Sequence, residues 1–248
     1  MSQDHRHFAD EFEALKQDLL AMGGLAEERL RTVIRALVER NEEALADVIA
    51  GDSRINDLQI KIDKRCFTLL ALYQPVAIDL RTVVSALKIN ADVERVGDLA
   101  VNIGEVAQGY LQHPPVKPLI DLPRMGELAL RMLREALDAF VSRDVSLAQS
   151  VLRQDDWLDA LKEQVFREVL TYMLGDSRTI EPGIDLILVS RHLERVGDHA
   201  TNIAEDVIFI VEARDVRHGS DNLTAARKHD AAIGSRVERR KESATPPV

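Results

Sequence analysis

Two segments a hundred residues apart nearly coincide: residues 91–105 read ADVERVGDLAVNIGE and residues 191–205 read RHLERVGDHATNIAE. Nine of the fifteen aligned positions are identical: those at 94–98, Ala100, Asn102, Ile103 and Glu105, with their counterparts at 194–198, Ala200, Asn202, Ile203 and Glu205. A duplication of this kind restricts the architecture before any other residue is read, because each copy must fill an equivalent place in one of two like units.

Proline marks the boundaries of those units. Pro114, Pro115, Pro118 and Pro123 cluster at the midpoint, and Pro75 and Pro182 each stand just ahead of a long apolar run. Proline is tolerated in the first turn of a helix and excluded from its interior, so the chain divides near 111–120. Between the prolines the apolar residues recur every three or four positions, the period of an amphipathic helix. In the first half the stripes are Phe8, Phe12, Leu15, Leu19, Met22, Ala26, Leu30, Val33 and Leu37; then Ile55, Leu58, Ile62, Cys66 and Leu69; then Ile89, Val93, Val96, Ala100, Ile103 and Ala107. The second half repeats them as Leu122, Met125, Ala129, Met132, Ala136 and Phe140; then Leu158, Leu161, Val165, Val169 and Tyr172; then Val189, Leu193, Val196, Ala200, Ile203, Val207 and Ile210. Gly23 and Gly24 form a soft spot in the first stripe. Aromatics make up only 4% of the chain, which also favours helix over strand. The expected fold is all-α, two tandem pseudo-symmetric antiparallel three-helix bundles over 1–113 and 114–218, with a flexible tail over 219–248.

Charge narrows the function. The chain carries −10, and residues 219–248 hold six Lys/Arg against four Asp/Glu, so the first 218 residues carry −12. A body that acidic repels nucleic acid and favours cations or basic protein surfaces. Cys66 is the only cysteine, which rules out an internal disulfide or a thiolate cluster and suits a reducing compartment. The N-terminal segment lacks the apolar stretch of a signal peptide, and no window reaches the length of a membrane span. The expectation is a soluble, cytoplasmic protein.

Four of the nine repeated residues are Glu94, Asp98, Asn102 and Glu105, a polar strip on the helix face opposite the apolar one. Such a strip is ordinarily solvated, and Arg95 stands where it can pair with Asp98. Against that reading, Glu94 and Asp98 are like charges at i and i+4, which disfavours a helix, and the pair recurs as Glu194 and Asp198. The preceding helix brings Asp52, Asn56, Gln59 and Asp63 in the first half and Asp155 and Asp159 in the second. Carboxylate and amide oxygens from two adjacent helices suit hard ions such as Mg, Mn, Fe or Ca. Gly97 and Gly197 would let a neighbour or a ligand approach this strip. His192 and His199 lie round the helix from it, as surface or inter-helix residues. No phosphate-cradling loop and no nucleophile pair is present, so the expectation is a protein that is not an enzyme.

These residues resemble the PhoU family of accessory regulators of bacterial phosphate transport. The resemblance runs through AMGGLAEE at 21–28, IAGDSRIND at 49–57, QPVAIDLR at 74–81, LTYMLGDSRTI at 170–180 and both ERVGD…NI segments, spanning about residues 8–218. It implies multinuclear metal sites of Fe, Mn, Mg or Zn on the outer surface. Asp52, Asn56, Glu94, Asp98 and Asn102 would serve one site, and Asp155, Asp159, Glu194, Asp198 and Asn202 the other. Asn56 stands where the second half has Asp159, so the first site would be the weaker. The implied function is negative regulation of phosphate uptake and starvation signalling, through contacts with a sensor histidine kinase and the ATPase subunit of the phosphate transporter, with no nucleic acid, no membrane insertion, and self-association as a homodimer. Two rival readings are a plain helical scaffold with a solvated acidic face and a carboxylate-bridged di-iron enzyme. The second needs inward-facing Glu and a Glu-x-x-His pair, whereas Gly97 and Gly197 follow Glu94 and Glu194 at that spacing.

Overall fold

The computed structural model describes residues 3–51 and 53–216, and all regular structure among them is helical. The helices are α1 (Gln3–Glu39), α2 (Glu42–Ile49), α3 (Ser53–Tyr73), α4 (Ala77–Leu111), α5 (Asp121–Ser142), α6 (Val145–Gly175) and α7 (Ile180–Glu212), with a 3-10 turn at Ser177–Thr179. They form two tandem three-helix bundles. The expected tail at 219–248 lies outside the described residues, as does Asp52.

The two halves are built with the same joint. α1 ends where Arg40 turns left-handed (φ 55°), and Asn41 then caps α2 by accepting from the Ala44 amide. At the equivalent place α5 ends where Arg143 turns left-handed (φ 56°), and Asp144 caps α6 by accepting from the Ser146 and Leu147 amides. Side-chain caps of this type satisfy amides that a helix start leaves unpaired. The halves then differ. α6 runs on unbroken, with Gln154 buried inside it, donating to Glu135 and accepting from Arg131. The matching position in the first half is Gly51, at φ +81°, and there the helix breaks into α2 and α3. The six expected helices are therefore six long ones plus a short α2 split from α3 by a glycine where the partner half has a buried glutamine.

The apolar stripes face inward as the periodicity requires. Of the residues named above, nearly all are fully buried, and Phe8, Leu58 and Leu161 are half-buried at the margin of one continuous core. Tyr172 departs from this and is 40% exposed. α6 reaches past the core at its end, and the space beneath Gly183 of α7 is taken by Met173 and Val169 instead. α1 passes through Gly23 and Gly24 without a break. Gly23 leaves a hole that Leu137 of α5 fills, and Gly126 of α5 leaves one that Ile34 of α1 fills. The four residues exchange under the same shift that relates the two joints, so α1 and α5 meet across a pseudo-twofold axis.

The halves pack most extensively through α4 and α7. Arg81 Nε donates to the Ile210 carbonyl (2.9 Å), Lys88 pairs with Asp206 (2.9 Å), and His199 Nδ1 meets Asp92 (2.8 Å). These pairings run in opposite directions along the two helices, which brings the two motif copies side by side and antiparallel. The proline-rich connection is held to the body. Arg40 donates to the carbonyls of Leu111 (2.6 Å) and His113 (2.7 Å), and buried Lys117 pairs with Asp121 (3.3 Å) and with Glu168. Pro123 and Pro182 sit in the first turns of α5 and α7, where a missing amide proton costs nothing. No helix among the described residues is long and apolar enough to cross a membrane.

Candidate functional site

The motif residues divide by chemistry. Val96, Gly97, Ala100 and Ile103 are buried, and so are Val196, Gly197, Ala200 and Ile203. The two glycines serve a close approach within each bundle. A Cβ on Gly97 would lie 3.0 Å from Ile55 Cδ1, and one on Gly197 would run into Leu158. What they admit is therefore an apolar side chain of the preceding helix.

The acidic residues lie on the outer faces. In the first half the side chain of Glu94 is 17% exposed and that of Asp98 is 49% exposed. Arg95 reaches both, Asp98 at 3.0 Å and Glu94 at 3.7 Å. Burial first, and then the neighbouring Asp98 charge, raise the Glu94 carboxyl above its ordinary range. Asn102 is half-buried, Glu105 is exposed, and Asn56 is exposed on α3. Asp63 accepts from Asn90 Nδ2 at 2.8 Å, and the same amide donates to the Gln59 carbonyl at 3.0 Å. Asp52, the remaining member of the expected first set, lies outside the described residues.

The second half is more strongly charged. Lys162 Nζ lies between Asp159 Oδ1 and Glu194 Oε1, at 2.7 Å from each, and these hydrogen bonds raise its pKa. Half-buried Asp155 is pushed up to about 6, by burial first and then by the charges of Asp198, Asp159, Asp156 and Glu194. Asp198 is raised too, by burial and then by Glu194. Asn202 is turned elsewhere and donates to Asp92 at 3.3 Å, joining the α4–α7 contact. The counterparts of Asp159 and Lys162 in the first half are Asn56 and Gln59, so an acid and the base that neutralises it are replaced together.

This geometry corrects the expectation of metal binding. Among the described residues no group of three or more His, Cys, Asp or Glu side chains is arranged to hold a metal ion. The chain's own cations explain the tolerance of like charges: Lys162 spans Asp159 and Glu194, and Arg95 spans Glu94 and Asp98. Hard Fe, Mn, Mg or Zn ions as cofactors, and a function built on them, are therefore withdrawn. The bland alternative fits better, a helical scaffold whose acidic faces are solvated and paired internally.

The contact set between the halves was not anticipated. Asp92, Lys88, Asp206 and Arg81 stand outside the repeated positions, so comparison of the copies could not single them out. Of the surface or inter-helix placement expected for His199, the structure shows the second, against Asp92.

Two three-helix bundles in tandem, related by a pseudo-twofold and each carrying one copy of a self-paired acidic motif, define a duplicated helical scaffold. The PhoU domain matches this chain twice, over residues 19–107 and 122–207, one match in each half. The chain belongs to the PhoU family. It is 41% identical over 205 residues to the phosphate-specific transport system accessory protein PhoU homolog of Caulobacter vibrioides NA1000, covering 82% of this chain and 89% of that protein. It is 35% identical over 219 residues to the phosphate-specific transport system accessory protein PhoU of Escherichia coli K12, covering 87% of this chain and 90% of that one. Its structure resembles the crystal structure of PhoU from Pseudomonas aeruginosa with a TM-score of 0.79 and 36% identity, over 84% of this chain and all of that chain.

Proposed function

We propose that this chain is a non-enzymatic accessory protein of a phosphate-specific transport system, which regulates phosphate-responsive genes through protein contacts. The observation that carries the reading is membership of the PhoU family through both halves. A rigid helical body of this kind acts by binding one state of a partner more tightly than another, which shifts that partner's equilibrium. The partners in this reading are the sensor histidine kinase of the phosphate response and the ATPase subunit of the transporter, with homodimer formation as a further contact. Residues 1–113 and 114–218 are its two units. The repeated acidic residues, Glu94 and Asp98 with Glu194 and Asp198, act as charged surface, so association with basic patches weakens as salt rises.

Deletion of the gene in its host tests this directly. Phosphate-starvation genes should stay expressed when phosphate is abundant, and the intact gene supplied in trans should restore repression. A deletion strain that still represses them in high phosphate would remove the regulatory reading.

A further inference from the structure

The chain leaves its second bundle beside the start of α4. Arg81 Nε donates to the Ile210 carbonyl at 2.9 Å, and Lys88 lies over the Phe209 ring and pairs with Asp206. Ala213 then turns left-handed (φ 55°), as Arg40 and Arg143 do where α1 and α5 give way to the next helix. A left-handed residue at this place ends a helix and redirects the chain, and after Arg40 and Arg143 the chain turns back alongside the helix it has left. Ala213 has the same effect. Three residues on, Val216 is half-buried and packed against the core, so the chain is still on the body at the last described residue.

At that point the first half presents an apolar face. Leu80 and Val84, in the turns of α4 that Arg81 ties to Ile210, share one side of the helix and are 41% and 37% exposed. Val76, just before α4, and Leu72, near the end of α3, are 74% and 70% exposed. Leu72 and Val76 line a cavity of about 640 Å³ with Phe8 and Tyr73, and Leu72 also borders a second of about 540 Å³ beside α3. Contiguous apolar surface of this kind marks an interaction site on a protein that must otherwise stay dissolved.

We propose that this face is covered by the chain's own residues 217–248, with Leu223 and Ile233 set against Leu72, Val76, Leu80 and Val84. Reach favours this occupant. Leu223 stands seven residues past Val216 and can extend about 25 Å from it, enough to meet the turns of α4 beside Ile210. The matching face of the second half, at Ile180 and Ile184, lies about 39 Å from Ile210 along α7, beyond that reach. Charge assists without choosing the place: residues 217–248 hold seven Lys/Arg against four Asp/Glu, and the rest of the chain carries −13. The segment follows the second PhoU match, which ends at residue 207, so the cover is an addition to the shared scaffold. A partner that uses this face must displace it. The proposal goes beyond the regulatory reading and does not depend on it.

The test uses the full chain with a nitroxide on Ser235→Cys, two residues from Ile233. The native Cys66 is buried, and mass spectrometry of the wild type should show that it takes no label. In methyl NMR spectra the signals of Leu72, Leu80 and Val84 should lose most of their intensity to the nitroxide, while those of Ile180 and Ile184 keep theirs. Combining Leu223→Asp with Ile233→Asp in the segment should restore the lost signals at least severalfold without touching the body. Leu80→Asp with Val84→Asp should restore the Leu72 signal, with circular dichroism showing that the helices remain. Intact signals at Leu72, Leu80 and Val84, or equal losses at Ile180 and Ile184, would overturn the proposal. Losses that survive Leu223→Asp with Ile233→Asp would overturn it too, because the segment would then lie near the face without resting its apolar residues there. Mixing nitroxide-labelled chains with isotope-labelled chains that carry no nitroxide separates one chain from two. Losses in that mixture as large as within one chain would overturn the intrachain cover in favour of a second copy's segment.

Discussion

Asp155→Asn should stabilise this protein at neutral pH. Asp155 is half-buried beside Asp198, Asp159, Asp156 and Glu194, and its carboxyl is pushed up to about 6 from an ordinary 3.8. Each pKa unit corresponds to about 1.4 kcal/mol, so the whole shift would cost the fold about 3 kcal/mol. The carboxylate keeps partial contact with water, and screening reduces the cost to about 1–1.5 kcal/mol. The unfolded chain releases this proton near 3.8 and the folded chain near 6. Between those values the folded state holds the extra proton, so the contribution falls as pH rises. The cost is fully present above about 6, and at pH 4 about a fifth of it remains. Asparagine keeps the shape and removes the charge. The melting temperature at pH 7.5 should therefore rise by about 2–4 °C in a chain of this size, with a gain near zero at pH 4. Thermal unfolding followed by circular dichroism at both pH values measures this. A lower melting temperature at pH 7.5 would show that the carboxylate is held by attraction in the folded state, and an equal gain at both pH values would show that its charge is irrelevant. Either result refutes the argument.

Lys162→Met should cost about 1–2 kcal/mol at pH 7.5, because Asp159 and Glu194 lose the ammonium between them, and less once Asp155→Asn is present, as urea unfolding of the two variants and their combination would show. Leu137→Ala should cost about 2–4 kcal/mol, and Gly23→Ala should be better tolerated in that background than in the wild type, since the added Cβ enters the vacated space; a double-mutant cycle reads the difference. Arg40→Ala should cost about 1–3 kcal/mol and speed proteolysis at 112–120, because the guanidinium holds the Leu111 and His113 carbonyls. The thiol of buried Cys66 is pushed up to about 12, chiefly by burial, so a thiol reagent at pH 8 should label it only as fast as the chain unfolds.

The fold was largely legible because its determinants are local. Apolar residues at steps of three and four pick out each helix face, and the prolines mark the central division and the approaches to α4 and α7. The break at Gly51 was not legible as a break, since its consequence depends on the position matching Gln154, which is buried and hydrogen-bonded in the other half. Tyr172 failed because periodicity gives the direction of a side chain and says nothing of how far the neighbouring helix extends. In the acidic faces the periodicity set Glu94, Asp98, Glu194 and Asp198 away from the apolar stripe, and the structure leaves Asp98 and Asp198 exposed and Glu94 and Glu194 partly covered. The sequence could not show what neutralises them. Lys162 looks like any exposed helix lysine until α6 and α7 are packed and its ammonium lies between a carboxylate of each. The pairing of Arg95 with Asp98 was readable, because it is a contact within one helix.

The duplicated motif can now be divided by cause. Val96, Gly97, Ala100 and Ile103 recur as Val196, Gly197, Ala200 and Ile203 because packing needs them twice: the glycines admit Ile55 and Leu158, and the others face the shared core. Packing does not account for the recurrence of Glu94, Asp98 and Glu105, which lie outside the core, or for the repulsion between Glu94 and Asp98. Within each half the repulsion is offset by a different cation, Arg95 on the same helix in the first and Lys162 from the preceding helix in the second. Two unlike solutions to the same electrostatic problem show that the carboxylates, and not any one salt bridge, are the common element.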